Sequence, residues 1–197
     1  MSYRNKVIDR TVLANEIVRI RGAVGSRLER RPVVVQCSGC FDLLHPGHVL
    51  HLQTARTYGD LLIVTLNADA RVRALKGVGR PVLGLKDRLL LVASQEAVDY
   101  VTWFEEETPD QIIDIIRPDV YVKGAEYAFD QIPELATVFR HGAFRPVPQT
   151  EWSTTKLIHR MVEPYIDSLA RFGIDDGPKQ HDEDPVRVTD REGSTGT

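Results

Sequence analysis

Four residues, His45-Pro46-Gly47-His48, have the types and spacing best suited to chemistry in this chain of 197 residues. They follow Gly39-Cys40-Phe41-Asp42 and an apolar run, Val33-Val34-Val35, that reads as a buried strand. Pro46 suits the first position of a helix, and Gly47 removes a side chain where backbone must approach a ligand. Histidines three apart share one helical face. Unpaired N–H groups and the positive dipole end at that helix start favour an anion, and two imidazoles beside them can stabilise charge on a phosphoryl group under attack. The pattern points to a phosphate site built for nucleotidyl transfer. A surface histidine pair on an ordinary helix is the plain alternative, and the glycine turn, the acid and the strand upstream weigh against it.

A second cluster, Ser153-Thr154-Thr155-Lys156, has the composition of another phosphate-binding helix start. Hydroxyls and backbone N–H groups there can donate to β- and γ-phosphate oxygens while Lys156 adds positive charge. Between the two clusters, Lys76-Gly77-Val78-Gly79-Arg80-Pro81 reads as a basic loop able to bring Lys76 or Arg80 over the phosphates, or equally as a solvated turn. Arg88 lies in a helical pattern, where a plain surface charge is the alternative reading.

Short apolar strands alternating with helical patterns must position these groups. Strands are expected at Val33 to Cys37, Leu61 to Leu66, Tyr100 to Trp103, Val120 to Val122 and Phe144 to Val147. Helices are expected at Pro46 to Tyr58, Leu85 to Val98, from Thr108-Pro109 through Ile116, Leu135 to His141, and Thr154 to about Phe172. A further helix, Val7 to Leu28, is expected to pack outside this unit. Such alternation implies a single α/β domain, residues 1–172, with a parallel sheet and helices on both faces. Ligands in these sheets bind beyond the carboxyl ends of the strands. Asp42, Asn67, Asp69, Lys123, Gly124 and Glu126 fall at those ends and should converge on one rim, although Asn67 and Asp69 could simply cap a helix.

The net charge of −3 gives no reason to expect nucleic acid or an anionic membrane as partner. From Gly173 onward seven acids stand against three bases, so the tail carries −4 and the body +1. Residues 173–197 lack aromatics and apolar periodicity and are expected to be a disordered acidic tail. No segment approaches the roughly 20 apolar residues of a membrane span, and no apolar signal core follows the N-terminus, so a cytoplasmic protein is expected. Cys37 and Cys40 admit a redox reading or, with His45 and His48, a zinc reading. The short spacing between Cys40 and His45 speaks against a zinc finger, and no metal site is assigned.

Gly39-Cys40-Phe41-Asp42-Leu43-Leu44-His45-Pro46-Gly47-His48 resembles the first signature of the cytidylyltransferase-like nucleotidyltransferases, and Ser153-Thr154-Thr155-Lys156 resembles their second. Within that family the chain is most similar to the adenylyltransferases of ADP-heptose synthesis. Leu75-Lys76-Gly77 with Arg80-Pro81-Val82, Glu96 to Val101, Phe104 to Pro109 and Arg117 to Gly124 carry this, over about Lys6 to Met161. The resemblance implies a Rossmann-like fold and transfer of AMP from ATP to a sugar 1-phosphate with release of pyrophosphate, Mg²⁺ bridging phosphate oxygens. It implies that His45 and His48 stabilise the α-phosphate and that Lys156 with Ser153, Thr154 and Thr155 holds the leaving pyrophosphate. Gly39, Cys40, Phe41, Gly47, Lys123 and Gly124 would meet the nucleotide. Asp42, Asn67, Asp69, Lys76, Arg88 and Glu126 would meet the substrate.

The chain departs from that branch in three places. Gly124-Ala125-Glu126-Tyr127 replaces the usual Gly-Gly-Asp-Tyr. Glu151-Trp152 puts a bulky aromatic and one residue fewer before the second signature. Gln149-Thr150-Glu151 lacks the arginine of the cytidylyltransferases' Arg-Thr-Glu-Gly run, which favours ATP over CTP. A cytidylyltransferase acting on glycerol 3-phosphate and a non-catalytic nucleotide sensor are the alternatives. The resemblance also implies homo-oligomerisation and, because the chain has no room for a fused sugar kinase, a separate sugar kinase and phosphatase as pathway partners.

Overall fold

In the strand sequences, neighbouring apolar residues part company, because successive side chains of a strand point to opposite faces. The computed structural model, which describes residues 5–22 and 30–164, shows where each set goes. Five strands, β1 (Val34–Gly39), β2 (Leu61–Asn67), β3 (Tyr100–Phe104), β4 (Val120–Gly124) and β5 (Ala143–Val147), pair in the order β3-β2-β1-β4-β5. Every pairing is parallel. Val35, Cys37, Leu62, Val64, Leu66 and Val122 face α2 (Pro46–Arg56) and α4 (Leu85–Ala93), meeting Leu52, Ala55, Leu89 and Val92. Val34, Ile63, Tyr100 and Phe104 face the other way, against α1 (Arg10–Gly22) and α5 (Asp110–Ile116). Tyr121 and Phe144 continue that face under α6 (Leu135–His141).

The order is that of a Rossmann-like sheet. From β1 the chain moves to one side through β2 and β3, then returns past β1 to lay down β4 and β5. The switch between β1 and β4 opens a crevice at the carboxyl ends of these strands.

Several expectations shift. The N-terminal helix begins at Arg10, since Val7 makes a parallel bridge to Val101. It also does not lie outside the core. Leu13, Ile17 and Ile20, spaced along one face, are buried against the sheet. The segment of that expected helix beyond Gly22 falls on residues outside those described, as does the closing helix beyond 164 and the acidic tail. The helix from Leu85 ends at Ala93, where Ser94 to Asp99 turn into β3. Pro109 stands just before α5 rather than at its first position, with Thr108 bonded to the Asp110 carboxylate. An unexpected short helix, α3 (Asp69–Lys76), follows β2, and α7 (Thr154–Val162) starts where the second cluster placed it. Among the described residues no helix is long and apolar enough to cross a membrane.

Candidate active site

The loop leaving β1 is held in a conformation that L-residues rarely adopt. Phe41 and Leu43 both have φ of 49°, the left-handed region. Such strain persists only where surroundings over-determine it, and two buried anchors do so here. Arg88 is fully buried and donates to the carbonyls of Cys40 (2.6 Å), Asn67 (2.8 Å) and Leu83 (3.1 Å) and to the Asp69 carboxylate (2.6 Å). Asp42, its side chain also sealed from solvent, accepts from Arg80 Nε at 2.5 Å and from the amides of Val82 and Leu83 at 3.0 Å. Burial pushes the Asp42 carboxyl up, but those amides and the Arg80 guanidinium outweigh it and hold it below the usual carboxylate range.

These contacts correct part of the expected substrate set. Arg88 and Asp69 do not line the cleft, because they are spent joining the ends of β1 and β2 to α4. Asp42 does reach the cleft wall, yet its carboxylate is occupied by the 80–83 loop and serves as an anchor. Arg80 is correspondingly fixed over Asp42 instead of hanging free.

Beyond the loop, His45 occupies the N-cap of α2 with extended backbone and no side-chain cap bond. Its ring stacks on His48 with centroids 3.8 Å apart and planes 21° from parallel. The Nδ1 atoms of both rings are buried without a hydrogen-bond partner. Burial lowers the pKa of both rings. That of His48 is pushed down to about 3 by burial first, then by His45 and His51. Both imidazoles are therefore neutral at physiological pH on their own, and a phosphate anion beside them would favour their charged form. A Cβ on Gly47 would lie 2.6 Å from Thr150 Oγ1 and 3.0 Å from the His45 ring, which is why glycine separates the histidines.

Across the crevice, Ser153 caps α7, its Oγ accepting from the Lys156 amide at 3.2 Å. Thr154 Oγ1 donates to the Asp42 carbonyl at 2.8 Å and ties the second helix start to the first loop. That hydroxyl hydrogen is thus used internally, which leaves the Ser153 hydroxyl hydrogen, Thr155 and the first α7 amides facing the cleft. The Lys156 ammonium bonds the Glu151 carbonyl at 3.0 Å and does not line the cleft.

Together these segments enclose a cleft of about 690 Å³. Gly39, Cys40, Phe41, His45, Gly47 and His48 form its centre, with Asn67 and Lys76 on the β2 side and Lys123, Gly124 and Glu126 on the β4 side. Glu126 folds back over Gly124, whose Cβ would fall 2.0 Å from Glu126 Oε2. The Glu126 charge also reaches His51, whose pKa burial lowers and Glu126 partly restores. Cys40 and Cys37 are free thiols. Cys37 is spent on packing in the apolar core, its thiol pushed up to about 12 by burial.

Among the cleft residues that sequence reading missed, four polar ones stand out. His51 extends the His45–His48 row by one further helical step. Arg71, on the helix that was not expected, approaches Glu107 at 3.8 Å. Glu134 holds Lys123 across 11 positions of chain. Thr150 seats against Gly47. Only His51 had a sequence signal, the three-residue repeat. Trp152, the bulky aromatic before the second signature, lines the cleft with the Arg160 guanidinium 5.2 Å over its ring.

Comparison with known proteins agrees with this geometry. The model of the family described as cytidylyltransferase-like matches residues 37–165. The bifunctional protein HldE of Geobacter sulfurreducens is 41% identical over 162 residues, covering 81% of this chain and 32% of that protein. The bifunctional protein HldE of Helicobacter pylori strain G27 is 55% identical over 94 residues, covering 48% of this chain and 20% of that protein. This chain thus spans a third or less of the length of these curated relatives. Among solved structures, the lipopolysaccharide core biosynthesis protein of Thermoplasma volcanium superposes with a TM-score of 0.53 at 23% identity, over 62% of this chain and 99% of that one. That likeness speaks for the fold. With the family model covering well over half of its length, including both histidines and the second helix start, the chain belongs to the cytidylyltransferase-like nucleotidyltransferases.

Proposed function

We propose that this chain transfers AMP from ATP to a sugar 1-phosphate, D-glycero-β-D-manno-heptose 1-phosphate, giving ADP-heptose and pyrophosphate. The observation that carries the reaction type is the stacked His45–His48 pair, with free buried nitrogens, set at one helix start and tied through Asp42 and Thr154 to a second. A nucleotide lying between the two helix starts would have its α-phosphate at the histidines and its terminal phosphates at α7. A phosphate oxygen of the acceptor attacks the α-phosphorus in line. The bond from that phosphorus to the bridging oxygen of the β-phosphate breaks, and pyrophosphate leaves with the electron pair. The protein supplies position and charge neutralisation, the histidines donating to α-phosphate oxygens while Ser153, Thr155 and the α7 amides receive the leaving group. Lys156 would swing from the Glu151 carbonyl to join them.

Magnesium fits as a companion of the nucleotide. Among the described residues no three His, Cys, Asp or Glu side chains converge as a metal cage, and the Asp42 carboxylate is occupied. The ion would be held by triphosphate oxygens and water, as Mg²⁺ commonly is, and would neutralise charge on the departing pyrophosphate.

The acceptor is supported by the ADP-heptose-type segments from Leu75 to Val82 and from Glu96 to Gly124, and by the HldE relatives. A cytidylyltransferase reading is disfavoured by the missing arginine before Thr150. The test crosses ATP and CTP against the heptose 1-phosphate and glycerol 3-phosphate and follows pyrophosphate. Turnover with ATP and the heptose phosphate alone is expected. Turnover with CTP and glycerol 3-phosphate would replace this reading by the cytidylyltransferase one.

A further inference from the structure

Glu134 carries the least expected chemistry in the cleft. It sits at the start of α6 and is 1% exposed, yet it is a carboxylate. Such a group is found buried only when paired or hydrogen-bonded. Here one oxygen, Oε1, accepts from Lys123 Nζ at 2.6 Å and from the Tyr121 hydroxyl at 2.9 Å. The strand explains why one carboxylate meets both, since Tyr121 and Lys123 are two apart on β4 and share a face. Tyr121 is fully buried, and burial together with the Glu134 charge keeps its hydroxyl protonated, so it remains a donor. Lys123, by contrast, is one-fifth exposed and lines the cleft, with its ammonium 5.0 Å over the Tyr127 ring.

Position gives this pair its meaning. Val122 lies in register with Cys37, so Lys123 stands beside the exit of β1, at the switch between β1 and β4. A lysine has three donors on a flexible stem. Glu134 takes one, Tyr127 flanks the head, and two N–H bonds remain for a ligand in the crevice. Left free, the stem would have to be ordered at the moment of binding. Fixed beforehand, it presents its donors without that entropic cost.

We infer that Glu134 is a positioning residue that holds the Lys123 ammonium in place for the bound nucleotide. This rests on the nucleotidyltransferase reading of the cleft and adds a residue that acts through Lys123, not on the nucleotide itself. The two residues should therefore behave as one unit in nucleotide binding.

Calorimetry with Mg-ATP on the full chain tests it and needs no acceptor, so it is independent of the sugar assignment. Glu134→Gln keeps the shape and an oxygen for Tyr121, and should weaken ATP about tenfold. Lys123→Met should weaken it at least as much, and the double variant no further than Lys123→Met. Unchanged or tighter ATP binding by Glu134→Gln, or losses that multiply in the double variant, would overturn the inference. Failure of the unaltered chain to bind ATP would overturn the nucleotide reading itself. A second measurement uses no variant. Amine acetylation read by mass spectrometry should mark Lys123 less in the presence of Mg-ATP, and equal marking with and without ATP would contradict the role.

Discussion

The His48 imidazole is partly buried and stacked on His45 at the cleft, so on the proposed mechanism its removal takes away a donor to developing charge and little that the fold depends on. His48→Ala should lower kcat by at least about 10²-fold with circular dichroism unchanged. Near-normal turnover would sink the role assigned to it. The same burial has a cost in acid. His48 in the fold stays neutral down to about pH 3, whereas in the unfolded chain it protonates near 6.5. Below 6.5 the unfolded state binds more protons, so stability falls as pH drops across that window, by on the order of 2 kcal/mol at pH 5. His48→Asn should therefore lose less melting temperature between pH 7 and pH 5 than the unaltered chain, and equal losses would contradict the neutral, buried imidazole. Both histidines stood out in the sequence from their spacing together with the strand, glycine turn and acid just upstream. The partners of Asp42, Arg88 and Lys123 were not, because Arg80, Cys40 and Glu134 reach them only after the strands and helices have packed.

Buried charges tie the elements nearest the site to it. Asp42 joins the β1–α2 loop to the 80–83 segment, and Arg88 joins the ends of β1 and β2 to α4. Removing one partner of a buried pair leaves the other uncompensated, at about 3 kcal/mol or more. Asp42→Asn should lower unfolding free energy by about that amount in urea and reduce activity through a loosened histidine loop. A change below about 1 kcal/mol would mean that the anchor is dispensable. At this scale the five strands and most helices were legible, because their apolar residues repeat at the periods of strand and helix. The helix α3 was hidden, since Val72 is its one buried residue and the rest of its sequence is polar or exposed. The start of α1 was misplaced because Val7 reads as apolar helix but pairs with Val101 as strand. No local pattern distinguishes the two when the deciding partner lies about ninety residues away.

For the whole molecule, the strand order β3-β2-β1-β4-β5 accounts for where function sits. It places one switch in the sheet, and both signature segments, Lys123 and the cleft gather there. The strand order itself comes only from the structure, while the location of the cleft at the carboxyl ends of the strands follows from their alternation with helices. The choice of acceptor does not, because Ala125, Glu126 and Trp152 are departures whose effects depend on how they shape the cleft. Transfer at the α-phosphorus can be followed with ATP labelled on that phosphorus. With Mg²⁺ and D-glycero-β-D-manno-heptose 1-phosphate, the label should pass into the nucleotide sugar while unlabelled pyrophosphate forms in equal amount. Label recovered in ADP with release of the γ-phosphate, or in unchanged ATP, would contradict the account.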